Sequence, residues 1–154
     1  MSNKIIGQGT FGCVIKPALK CNSDEKIDDK YYRNKVSKVM FDKHALDELK
    51  ELEFISKLDG IEKYAMSIPK ICNPKLDDRF NKIVQRCRTP PTRHVYHFFR
   101  SDKTKLKQLL LEDGGNDMKT AAEDLLIRNK TDPNKTKFFY TSFLNLFDGL
   151  IFFN

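Results

Sequence analysis

The chain has 154 residues, 40% of them hydrophobic and 32% charged, which is the size of one domain and the composition of a folded one. No apolar run reaches the roughly 18 residues of a spanning helix, and the first residues hold no stretch of signal-peptide length, so the expectation is a cytoplasmic protein with no membrane span. The net charge of +7 rests on residues 61–105, with +1 before them and −1 after them.

In chain order, residues 4–17 read as strand, glycine-rich turn, strand. Ile5 and Ile6 precede the glycines, β-branched Val14 and Ile15 follow them, and Pro17 ends the second strand. Residues 18–30 are a polar connection. A third strand spans 34–41, with Val36, Val39 and Met40 around Ser37 and Lys38. Residues 44–58 predict a helix with Leu46, Leu49, Leu52, Ile55 and Leu58 at three-residue spacing, stopped by Gly60. From 67 to 105 short apolar pieces are broken by Pro69, Pro74, Pro90 and Pro91, which predicts strands joined by long loops. Residues 106–112 read as a buried strand broken by Gly114 and Gly115. Asp117 then suits the N-cap of a helix over 118–127, and a final helix over 137–153 carries six phenylalanines.

Two features stand apart from these elements. The cysteines (Cys13, Cys21, Cys72, Cys87) form no C-x-x-C and accompany only three histidines, so they read as reduced thiols, with no metal site and no disulfide framework. The basic segment can attract nucleic acid, acidic peptide or an anionic surface by charge alone. No docking motif accompanies it, and Tyr96, Phe98 and Phe99 cluster while Arg86, Arg88 and Arg93 scatter among prolines. It reads as a solvated basic face, which argues against nucleic acid as the main partner.

The string Gly7-Gln8-Gly9-Thr10-Phe11-Gly12-Cys13-Val14 matches G-x-G-x-x-G-x-V. In a dinucleotide-binding unit the third glycine would open a helix; here strand-like residues and Pro17 follow, so the loop joins two strands instead. Glycines let main chain approach phosphate oxygens with no Cβ in the way, and they permit positive φ.

With Asn34-Lys35-Val36-Ser37-Lys38-Val39-Met40 downstream, the chain resembles the small lobe of a eukaryotic-type serine/threonine protein kinase, most like the kinases of large DNA viruses. The resemblance implies an α+β fold: an antiparallel sheet with one helix packed on it over 1–116, then helices of the start of a large lobe over 117–154. It implies ATP as the bound nucleotide and phosphoryl transfer to protein hydroxyls as the activity of complete members. Gly7, Gly9, Phe11, Gly12 and Val14 would surround ATP, and Lys38 would contact its phosphates. Glu51 would orient that lysine, with Glu48 as its rival. Leu111 would be the gatekeeper, with main chain of Glu112 and Asp113 at the adenine edge and Asp117 near the ribose. Two positions depart from the family's pattern: Val36 stands where alanine is usual, and the 13 residues from Lys38 to Glu51 are few.

No H-R-D-type or D-F-G-type motif occurs, so the aspartate base and the main Mg2+ ligand are missing. The expectation is therefore part of a longer kinase, inactive alone, with a second chain or missing lobe supplying base and magnesium ligands. A stand-alone nucleotide-binding pseudokinase module and a basic nucleic-acid-binding module are the alternatives.

Overall fold

The structure is a computed structural model that describes residues 2–9, 11–23, 27–63, 67–87, 103–115, 120, 123 and 133–152. The fold is α+β, built on a five-stranded antiparallel sheet. The strands are β1 (Lys4–Gly9), β2 (Gly12–Lys16), β3 (Lys35–Phe41), β4 (Lys70–Cys72) and β5 (Leu106–Glu112), in the spatial order β1-β2-β3-β5-β4. Among the described residues, the helices α1 (Asp29–Arg33), α2 (Asp42–Ile55), α3 (Asp78–Val84) and α4 (Pro133–Phe152) accompany them. Two compact units divide the chain, one of Met1–Asp59 with Met66–Asp113, the other of Gly60–Ala65 with Gly114–Asn154. The whole sheet and α1 to α3 belong to the first.

Alternation along the strands assigns each residue to a face, because residues opposite one another in an antiparallel pair point the same way. Cys13 and Ile15 of β2, Val39 of β3 and Leu106 of β5 share one face with Phe80, Ile83 and Val84 of α3, all buried. Phe80, Ile83 and Val84 fall at i, i+3 and i+4, one stripe of a helix, and full burial of each side chain is worth about 1.5–3 kcal/mol. The Asp77 carboxylate caps that helix by accepting from the Phe80 N–H at 2.8 Å. On the same face Tyr32 of α1 packs with Ala18, Cys21 and Leu110. The opposite face carries Met40 and Leu109 under Ala45 of α2, with Ile71 and Leu111 beside them.

Three expectations need correction. Residues 78–84 form a helix rather than a strand and loop, since the Asp77 cap and the apolar stripe outweigh the prolines around them. The helix expected over 44–58 is α2, Asp42–Ile55, and its leucines do not form one buried stripe: Leu46 is exposed, Leu58 lies beyond the helix and is exposed, and Ala45 is the buried helix residue. Three-residue spacing falls about 60° short of a full turn at each step, so a run of such steps winds around the helix. The cysteines, finally, are joined as Cys13–Cys87 and Cys21–Cys72, with Cα atoms 6.1 and 5.8 Å apart. Antiparallel pairing and the packing of α3 bring together residues 74 and 51 positions apart, which linear spacing does not reveal. Cysteine spacing therefore gives no argument for a reducing compartment.

In the second unit, Pro133 begins α4 one turn earlier than the expected start, at a position where its missing N–H costs nothing. Tyr140, Leu144 and Phe147 lie along one stripe of α4 and are exposed. Among the described residues, no helix is long and apolar enough to cross a membrane. The expected helix over 118–127, Asp117 and the cluster around Tyr96 lie outside the described residues, apart from helical positions at 120 and 123.

Candidate functional site

The glycine string forms the β1–β2 hairpin. Gly9 pairs with Gly12 across a two-residue tip, Gly7 pairs with Val14, and a bulge at Ile6 sets this register. From Gly7 one row of partners crosses the sheet: Gly7, Val14, Lys38, Leu109, Ile71. Neighbouring rows on the same face bring Gly9, Gly12 and Met40 on one side, and Val36 with Leu111 on the other. Six of the sequence-predicted residues thus occupy one sheet face: Gly7, Gly9, Gly12, Val14, Lys38 and Leu111.

The helix α2 packs on the β3–β5 part of that face. At the hairpin tip, Phe11 is exposed, and its ring centroid lies 4.5 Å from that of His44 in α2. Tip and helix therefore flank the same stretch of sheet. The loop glycines among the described residues have no positive φ, so what they bring is the lack of a Cβ rather than left-handed backbone.

Lys38 is held by Glu48, not by Glu51. Its Nζ donates to both carboxylate oxygens of Glu48, at 2.7 and 2.6 Å, and both side chains are about two-thirds covered. Glu51 is exposed. Helical geometry gives the reason: Ala45 faces the sheet, Glu48 lies about 60° around from it, and Glu51 about 120°. The signal available in the sequence is the small residue at 45, which lets the helix approach closely and points the residue one turn on at β3.

The end of β5 closes the other side. The Asp113 carboxylate pairs with Lys16 at the end of β2, and the Asp113 main-chain N–H donates to the Asn34 carbonyl at 3.2 Å. Of the Asp113 main-chain groups expected at the adenine edge, the N–H is therefore already engaged. The Glu112 side chain pairs with Lys35, its register partner, whose ammonium also sits 5.0 Å from the Tyr31 ring centroid. Lys35 and Glu112 belong to the opposite face, so Glu112 offers the Lys38 side main chain alone.

What these residues can do chemically follows from their types. A clamped ammonium is a fixed positive charge next to main chain that lacks side chains, with half-buried Val14 and Leu111 as an apolar surface beside it and Val36 buried between them. That combination suits a ligand with a polyanionic end and a flat apolar end. Among the described residues no group of three or more His, Cys, Asp or Glu side chains could hold a metal ion. In comparisons with known proteins, the chain matches no family model, no curated protein and no solved structure.

Proposed function

We propose that this chain binds ATP on the Lys38 face of its sheet, as the nucleotide-binding lobe of a serine/threonine protein kinase. The observation that carries the reading is the bidentate Lys38–Glu48 pair, set on the strand beside the glycine hairpin and on the hairpin's own face. On this reading the Lys38 ammonium meets the α- and β-phosphates, and Glu48 fixes where it points, so less ordering is left to be done on binding. Main chain at Gly7 and Gly9 closes over the phosphates. Val14 and Leu111 take the adenine faces, with β5 main chain at its edge.

The 154 residues contain neither a catalytic-loop aspartate motif nor a D-F-G-type triplet. The activity expected of this chain is therefore binding. Transfer to a protein hydroxyl needs a base and magnesium ligands from another chain or segment.

Calorimetric titration with magnesium-ATP tests the reading on the native chain and on Lys38→Ala, Glu48→Gln and Glu51→Gln. Native protein binds. The Lys38 and Glu48 variants lose about tenfold or more, the worth of one charge-assisted hydrogen bond, while Glu51→Gln binds like the native chain. No heat from folded native protein, or equal losses at Glu48 and Glu51, would overturn it.

A further inference from the structure

On the side of the sheet covered by α1 and α3, opposite Lys38, a pocket of about 90 Å³ is lined by Asn3, Lys20, Asp29, Tyr32, Arg33 and Arg79. Four separate pieces of chain converge there: the residues before β1, the loop after β2, α1, and the first turn of α3. Three cations surround one carboxylate. Lys20 is paired with Asp29 at 2.5 Å. The hydrogen bond and charge of Lys20 hold the Asp29 carboxyl below its ordinary pKa, and Arg79 and Arg33 add to that effect. Asp29 thus accounts for one positive charge. Among the described residues no carboxylate lies within ion-pair distance of Arg33 or Arg79.

A second observation comes from Asn3. Its Nδ2 donates to the Pro17 carbonyl at 2.7 Å, and since a carbonyl only accepts, the amide orientation is settled. The other end, Oδ1, is buried with no donor. Among the described residues, the pocket therefore holds two guanidiniums with no carboxylate partner, beside a buried amide oxygen with no donor.

We propose that this pocket binds a phosphorylated serine or threonine of a peptide. Guanidiniums match phosphate oxygens two at a time, and the phosphate charge of roughly −1.5 to −2 balances two of them, where a carboxylate balances one. A peptide adds main-chain groups around the phosphate that inorganic phosphate lacks, and arginine clusters are a recurring mode of phospho-motif recognition. The site is independent of the nucleotide reading, because it shares no residue with the Lys38 face.

Fluorescence anisotropy with a labelled glycine–phosphoserine–glycine peptide tests it, with the unphosphorylated peptide and inorganic phosphate as competitors. The phosphopeptide binds, the unphosphorylated form does not compete, and inorganic phosphate competes only at much higher concentration. Arg33→Gln and Arg79→Gln each weaken binding about tenfold, while Lys82→Gln, which removes an exposed charge from α3 outside the pocket, does not. Both arginines are exposed, so their replacement leaves the fold intact. Phosphopeptide binding that ignores both arginine variants, or no binding at all, overturns the site. Equal competition by inorganic phosphate overturns the peptide assignment.

Discussion

Gly12 passes so close to Val39 that a Cβ on it would lie 2.2 Å from the Val39 carbonyl oxygen, whereas a Cβ on Gly9, its partner across the hairpin, would meet nothing within 4 Å. The two glycines answer to different demands. At Gly12 the β2–β3 approach itself excludes a side chain. At Gly9 neither space nor backbone conformation asks for glycine, because its φ lies outside the left-handed region. On the proposed ATP reading, a ligand that needs bare main chain supplies the reason for a glycine there. Gly12→Ala is expected to cost about 1–3 kcal/mol of stability through forced displacement of the strands. Gly9→Ala is expected to leave stability unchanged, or to raise it by up to about 1 kcal/mol through the unfolded chain, while weakening ATP binding. Urea unfolding and nucleotide titration of both variants check this; a Gly9→Ala protein that binds ATP like the native chain would leave that glycine without a role.

The Lys38–Glu48 pair is partly exposed, and pairs in that setting contribute little to stability because solvent screens them. Lys38→Ala and Glu48→Gln are each expected to shift stability by no more than about 1 kcal/mol. A binding loss larger than the stability loss identifies the pair as part of a site. A stability loss well above that figure would mark it as a structural bridge instead.

Much of the sheet was legible, since its signals are local. β-branched Val14 and Ile15 bracketed by glycine and proline declared β2, and Leu106 to Glu112 is the strand the apolar run predicts. Helix α3 was obscured because proline-broken neighbours outweighed a seven-residue stripe, although Asp77 three residues before Phe80 is a cap signal. The identity of the lysine's partner was harder to read. Glu48 and Glu51 are chemically identical, and only the direction of Ala45 toward the sheet decides between them. The cysteine pairs and the arginine pocket were invisible for a different reason: their members come from distant parts of the chain, and nothing local marks Cys13 for Cys87 or Arg33 for Arg79.

Those cysteine pairs lead to a stability prediction. Cys13–Cys87 ties β2 to the residue group after α3, and Cys21–Cys72 ties the loop after β2 to β4, closing 74- and 51-residue separations. Loops of that size restrict the unfolded chain enough for about 2–4 kcal/mol per bridge. Reduction with dithiothreitol is expected to lower the thermal midpoint, and alkylation before reduction is expected to leave all four sulfurs unlabelled. Four labelled thiols in the folded, unreduced protein would refute the pairing.

The pH dependence at the edge of α1 follows from Asp29. Its carboxyl is held below its ordinary pKa first by the hydrogen bond from Lys20 and by that residue's charge, then by Arg79 and Arg33. A carboxyl whose folded pKa is depressed contributes stability above its unfolded value and loses that contribution as pH falls through the lower folded one. The contribution of Asp29 is therefore intact near neutrality and disappears in the acid range below the ordinary carboxylate pKa. A carboxyl-detected NMR titration is expected to place its midpoint below those of unpaired aspartates, and Lys20→Ala is expected to move it up the furthest. Arg33→Gln and Arg79→Gln move it up less. In 1 M salt the screening length falls to about 3 Å, so the midpoint of this exposed group should rise toward its ordinary value. A midpoint that Lys20→Ala leaves unmoved would remove Lys20 as the cause.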